Sequence, residues 1–250
     1  MSRHLLIIGA QRCGTTGLRA LLEAHPEITM ARPSRPEPKI FMSEELAGRG
    51  LDWYRKTYFE HATTEALLGE KSTSYLESGE AAGRAAATLG SAEIVVQLRD
   101  PVARAVSNWR FSTAHGLENR PLATALEENL QGPRAWDPAL TSVSPYAYLE
   151  RGRYIDYLEP WLAGFPGRAH VRFLEELVDG WSPVQDLYEA LGVDPKFQPP
   201  GEVERVNASE GPEPELDAGL VRRLREYFAP SDRRLRGRLN RELPWPAEEA

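Results

Sequence analysis

The sequence holds one cysteine, Cys13, in 250 residues. That excludes an internal disulfide and any zinc site built from several thiolates. It also lacks any run of 18 or more apolar residues, so no segment reads as a membrane-spanning helix. The apolar run at 5–10 is too short for a signal-peptide core and leads directly into Gln11 and Arg12. Excess positive charge is missing as well: the formal net charge is −7. This argues against nucleic acid or an acidic membrane surface as a partner, and any anion site must be a local cluster of cations. Lysine is scarce, with only Lys39, Lys56, Lys71 and Lys196 among the 30 basic residues. Internal repeats and low-complexity tracts are absent too. A cytoplasmic protein with no metal site is the expectation from these absences, and they leave the oligomeric state unspecified.

What is present suffices for one good-sized core. With 41% apolar residues over this length, a single domain spanning 1–250 is expected. Strand-like runs occur at 4–10, 27–31, 93–100 and 170–176, and the first and third are continuous Ile, Val and Leu runs of the kind covered on both faces. Helical spacing occupies 15–24, 47–59, 79–89, 101–114, 121–130, 146–164, 182–191 and 214–228. Strands alternating with helices predict an α/β fold with a central parallel sheet.

Parallel sheets of this kind bind ligands at the carboxyl ends of their strands. The stretch "GAQRCGTT" stands at such an end and opens a helix. Its backbone N–H groups and the helix dipole form a nest for an oxyanion, Gly9 and Gly14 allow the tight turn, and Thr15 and Thr16 add hydroxyls. The lysine that reaches the β- and γ-phosphates of a nucleoside triphosphate is missing after Gly14, and Arg12 is the loop's only cation. The loop therefore predicts an anion other than a magnesium triphosphate. A second site of similar layout is "VVQLRDPVARAVSNW". Here Arg99 ends an apolar strand, Asp100 and Pro101 open a helix, and Ser107 lies about two turns along it. An Arg and a helix hydroxyl together suit a phosphate. Two anion sites on one sheet edge imply a ligand charged at both ends.

These two motifs, "GAQRCGTTGL" and "LRDPVARAVSNW", resemble the sulfotransferases that use 3'-phosphoadenylyl sulfate (PAPS), most closely the heparan-sulfate and tyrosylprotein branch and its bacterial relatives. The likeness extends through "HPEI", "LGEKSTSY", "RGRYIDYLEPWLAGFP" and "LPWP", nearly the whole chain. It implies a three-layer fold of the P-loop type. It also implies that Arg12, Cys13, Gly14, Thr15 and Thr16 hold the 5'-phosphosulfate, while Arg99 and Ser107 hold the 3'-phosphate. The product would be adenosine 3',5'-bisphosphate. One departure is Arg12, where the heparan-sulfate enzymes carry Lys. An Arg neutralises the leaving phosphate without serving as its proton donor.

"RPSRPEPKIF" matches the family's Glu-x-His/Lys-Phe-Phe segment, which assigns Glu37 as the general base and puts Lys39 close to the transferring group. Lys71 in "GEKSTSY" corresponds to a lysine lining the acceptor cleft, and its alternative role is an ion pair with Glu70. His115 is a rival base that no motif supports. Family members close over the nucleotide with a basic loop near "ERVNASEG". This chain lacks that basic motif, leaving Arg205, Asn207 and Ser209 as candidates for donor contact. The implied activity is sulfuryl transfer, without a metal, to a hydroxyl or amine of a small-molecule or carbohydrate acceptor. The alternatives are a P-loop kinase or NTPase, and a non-catalytic nucleotide- or glycan-binding protein on the same scaffold.

Overall fold

The computed structural model describes residues 2–137, 143–199 and 214–247. Strand β1 (Arg3–Gly9) leads into helix α1 (Thr15–Ala24), and β2 (Ile28–Met30) follows. Two helices, α2 (Glu44–Ala47) and α3 (Gly50–Phe59), precede β3 (Leu67–Lys71). Then come α4 (Gly79–Leu89), β4 (Ala92–Leu98), α5 (Pro101–Ala114) and α6 (Leu122–Leu130). The chain continues through α7 (Tyr154–Gly164), β5 (Ala169–Phe173), α8 (Leu174–Asp179), α9 (Ser182–Leu191) and α10 (Ala218–Leu239).

The described residues fall into two compact units. The first lies within Met1–Leu98 and Tyr157–Asn207, the second within Arg99–Asp156 and Ala208–Ala250. The first unit holds a five-stranded sheet of order β2-β3-β1-β4-β5, parallel at every pairing. Its central strand has six consecutive buried residues, His4–Gly9, so the unbroken apolar run in the sequence reports a strand covered on both faces. On one face, Leu5 and Ile7 pack with Leu18, Leu21 and Leu22 of α1 and with Val184, Leu187, Tyr188 and Leu191 of α9. Aromatic side chains form a second cluster. Phe41 lies 5.8 Å from Tyr54 and 5.5 Å from Tyr75, and Tyr75 lies 6.1 Å from Trp161, all ring to ring.

The second unit is helical. Val102, Ala105 and Val106 of α5, Leu122, Ala125 and Leu126 of α6, and Leu220, Leu224 and Phe228 of α10 bury one another. Asp100 caps α5, its Oδ1 accepting the Val102 N–H at 2.8 Å, and Pro101 occupies the first turn as the sequence predicts.

Several elements differ from the sequence expectation: the helix expected over 47–59 is split into α2 and α3, and the one expected over 214–228 runs from Ala218 to Leu239. Strand β3 has only Leu67 and Leu68 as apolar residues before Gly69, Glu70 and Lys71, which hides it from any hydrophobic pattern, yet it pairs on both sides. The helix expected over 146–164 begins only at Tyr154, after a single 3-10 turn at Glu150–Gly152. There a Cβ on Gly152 would lie 2.6 Å from the Phe228 ring, so a larger residue would have to displace that ring. Finally, 174–176 turns from strand into α8.

Candidate functional site

The first loop is held from beneath by β4. Ala10 N–H donates to the Gln97 carbonyl at 2.8 Å, and the Gln97 side-chain Nε2 donates to the Cys13 carbonyl at 2.6 Å. One residue thus fixes both arms of the turn. Gly14 has φ +76°, and a Cβ there would approach Gln97 Nε2 to 2.9 Å and Leu174 Cδ1 to 2.8 Å. Glycine is required for backbone conformation and for space alike. Arg12 also adopts the left-handed region, at φ 67°, a conformation that costs a non-glycine residue energy and often marks a ligand site. Beyond Gly14, α1 begins with Thr15 and Thr16. First-turn N–H groups have no partner within a helix, and no side chain caps this one. The Cys13 thiol is buried and turned to the Gln11 carbonyl at 3.7 Å, so its atom facing the Gln97 amide is the backbone oxygen.

Beside this loop stands the carboxylate of Glu37. Its Oε1 is bonded by Lys71 Nζ, and its Oε2 accepts the Thr73 N–H at 3.0 Å and the Thr73 hydroxyl at 3.2 Å. Both members of the ion pair are largely withdrawn from solvent, with side-chain exposures of 13% for Lys71 and 19% for Glu37. The segment after β3 that supplies these donors runs along the end of β1. Ser72 N–H donates to the Ile7 carbonyl at 3.1 Å and Leu76 N–H to the Ile8 carbonyl at 2.9 Å. A Cβ on Gly9 would lie 3.4 Å from the Thr73 carbonyl oxygen. Glu37, Lys71 and the start of the loop therefore share the carboxyl ends of β1 and β3, where a parallel sheet places its ligands.

Lys71 is not paired with Glu70, the partner considered from sequence. Successive residues of a strand point to opposite faces, so Lys71 turns to Glu37 while Glu70 enters the aromatic cluster. Lys39 lies two residues past Glu37 with φ 51°, and its N–H donates to Ser72 Oγ at 3.0 Å. Nothing in the sequence marks Thr73 within "GEKSTSY" as a partner of Glu37. Gln97 was likewise unmarked, although its place two residues before Arg99 is where the strand meets the loop.

The second unit carries Arg99 and Ser107. Arg99 is the first residue after β4, and its carbonyl accepts the Tyr154 hydroxyl at 2.7 Å. Ser107 is buried on α5. Asp100, which opens α5, is gripped by both Arg225 Nη atoms, at 2.8 and 2.6 Å. His115 is exposed at the carboxyl end of α5, where Nδ1 bonds the Phe111 carbonyl oxygen at 2.8 Å and the ring lies tilted with its centroid 4.0 Å from that of Phe111. Arg205, Asn207 and Ser209 lie outside the described residues. No helix among the described residues is long and apolar enough to cross a membrane.

A parallel α/β sheet with a phosphate-type loop after its first strand defines the P-loop class of folds. Comparison with known proteins narrows this class. A sequence profile of the sulfotransferase domain matches residues 2–175, and the chain belongs to that family. It is 34% identical over 168 residues to the human bifunctional heparan sulfate N-deacetylase/N-sulfotransferase 3, covering 64% of this chain but 19% of that protein. To human heparan sulfate glucosamine 3-O-sulfotransferase 5 it is 26% identical over 264 residues, covering 96% of this chain and 73% of the relative. Among solved structures, a sulfotransferase from Alicyclobacillus acidocaldarius superposes with a TM-score of 0.78 at 25% identity, over 97% of this chain and 98% of the other.

Proposed function

We propose that this sulfotransferase moves a sulfuryl group from PAPS to a hydroxyl or amine of a carbohydrate or small-molecule acceptor, with Glu37 as general base. The observation that carries the reading is the carboxylate of Glu37, fixed by Lys71 and Thr73 at the strand ends beside the loop. The loop suits the 5'-phosphosulfate: backbone N–H groups at the start of α1 and the Arg12 guanidinium offer a spread of donors for a compact oxyanion. Arg99 and Ser107 are assigned the 3'-phosphate. Arg205, Asn207 and Ser209 are further candidates for donor contact.

In this reading the acceptor oxygen or nitrogen forms a bond to sulfur as the bond from sulfur to the bridging phosphate oxygen breaks. The acceptor's proton passes to Glu37, and adenosine 3',5'-bisphosphate departs. Arg12 and the loop N–H groups balance the charge that grows on the leaving phosphate, a contribution made by prearranged donors rather than by covalent chemistry. Lys71 orients the base and, with Lys39, adds positive charge near the transferring group. The relatives' names point to heparan sulfate as one acceptor to try, along with phenols and amino sugars.

The test begins with binding. Adenosine 3',5'-bisphosphate at 100 times its dissociation constant should stabilise the fold by about 2.7 kcal/mol, and ATP with Mg²⁺ should not. With PAPS and an acceptor panel that includes N-sulfated heparosan, Glu37→Gln should bind the bisphosphate normally and lose about 10²–10⁴ in turnover. Turnover within a few-fold of wild type would remove Glu37 from the role of base.

A further inference from the structure

Glu70 is fully buried, and no cation bonds it among the described residues. Three hydroxyls surround it instead. Oε1 accepts Ser72 Oγ–H and Tyr75 O–H, each at 2.7 Å, and Oε2 accepts the Tyr54 hydroxyl of α3 at 2.6 Å. Each hydroxyl has a single proton, so Ser72 and Tyr75, having given theirs to Glu70, present only lone pairs to their other neighbours. Those neighbours are backbone donors of the segment that carries Glu37. Lys39 N–H reaches Ser72 Oγ at 3.0 Å, and Phe41 N–H reaches the Tyr75 hydroxyl at 3.2 Å.

We infer that Glu70 is a positioning residue: by orienting the Ser72 and Tyr75 hydroxyls as acceptors it clamps the segment around Lys39 and Phe41 to the turn after β3, and so fixes Glu37 against Lys71 and Thr73. The direction of the bonds is set chemically. Burial and the nearby carboxylate hold the Tyr54 and Tyr75 hydroxyls far above the usual phenol range, so both keep their protons to donate. The clamp is short-range. Glu37 lies two residues from the first clamped amide, while Lys71 and Thr73 flank Ser72 in the chain. A single carboxylate thereby ties the base, its cation and its backbone donor into one unit, in the way that outer-layer hydrogen bonds orient a working group.

The catalytic part of this inference rests on the proposed role of Glu37, whereas the clamp itself does not, and amide exchange separates the two. Hydrogen–deuterium exchange at single-residue resolution is measured on wild type, Glu70→Ala, Glu70→Gln, Ser72→Ala and Tyr75→Phe. Ser72→Ala should speed exchange at Lys39 alone, Tyr75→Phe at Phe41 alone, and Glu70→Ala at both, each by about tenfold, the value of one hydrogen bond. Glu70→Gln keeps an acceptor oxygen for both hydroxyls and should leave both amides within threefold of wild type. Unchanged protection of Lys39 and Phe41 in Ser72→Ala and Tyr75→Phe overturns the clamp, even if Glu70→Ala does not fold. In parallel, turnover of PAPS with the acceptor panel should fall about 10²-fold in Glu70→Ala, as expected of a displaced catalytic group. Bisphosphate affinity should stay within threefold, and Glu70→Gln should recover the turnover. Lost protection with full turnover supports the clamp but overturns its role in positioning Glu37, while Glu37→Gln separately decides whether Glu37 is the base.

Discussion

Two buried glutamates, one in each unit, show how far the partners of a carboxylate decide its character. Glu70 in the first unit is met by three hydroxyls from Tyr54, Ser72 and Tyr75. Glu118 in the second unit, also buried, accepts from Arg120 Nε at 3.0 Å and Nη2 at 2.5 Å, from the backbone N–H groups of Asn119 and Arg120, and from the Tyr148 hydroxyl. Burial pushes both carboxyls up. For Glu118 the Arg120 hydrogen bonds and charge overcome it and bring the group down to about 2. For Glu70 desolvation wins over the three hydroxyls, the charge of Glu37 adds to it, and the group ends above its ordinary value. A guanidinium makes an anchor whose charge is settled. Hydroxyls alone make an oriented acceptor whose charge remains expensive, and a protein keeps such a group where orientation matters.

The largest effect should come from removing the cation. Arg120→Met would leave Glu118 buried with backbone and phenol donors only, and should lower the unfolding free energy by about 3–5 kcal/mol in a urea titration. A loss under about 1 kcal/mol would mean that the turn at 118–120 needs no neutralising charge. The next effect is in pH. A depressed carboxyl supports the fold above its unfolded value and withdraws that support as protons are added. Glu118 should therefore cost the wild type stability as pH falls from 4.5 towards 2, a slope that Glu118→Gln flattens. Glu70 has the opposite sign. With a raised folded value, the native state holds the proton more tightly than the unfolded chain, so stability declines as pH rises above 4.5 through the folded value. Glu70→Gln should gain on wild type across that rise and converge with it in acid. Parallel curves for the two substitutions would erase the distinction between the two sites.

The same contrast explains what the sequence disclosed. The loop after β1 is legible because its glycines, its apolar strand and its helix start are neighbours in the chain, and local chemistry suffices to place them. Lys71 was legible as a charge but not as a partner of Glu37, since the pairing spans 34 residues and depends on β3, a strand with two apolar residues. Tyr54 and Tyr75 are sequence positions that invite an aromatic pocket wall, yet both are fully buried with their hydroxyls on Glu70. Aromatic count alone cannot separate a ring that faces a ligand from one whose polar tip closes a buried network. Gln97 stayed hidden for a similar reason: a polar residue inside an apolar strand gains meaning only when its amide is seen under the loop at Cys13.

The smallest effect tests burial itself on a single side chain. Arg120 bonds two glutamates, Glu118 with a side-chain exposure of 1% and Glu128 with 57%. If proximity of opposite charges were what stabilises this corner, losing either partner would cost alike. An exposed arm is instead solvated before and after the bond breaks, and is screened by salt. Glu128→Gln should therefore change stability by no more than about 1 kcal/mol in low salt and by less at 1 M, read from urea midpoints of the two proteins. The 3–5 kcal/mol expected for Arg120→Met would then belong almost wholly to the uncompensated charge left at Glu118. Equal losses for the two substitutions would show that the exposed arm carries the corner, and that the anchor at Glu118 is held by its backbone and tyrosine donors.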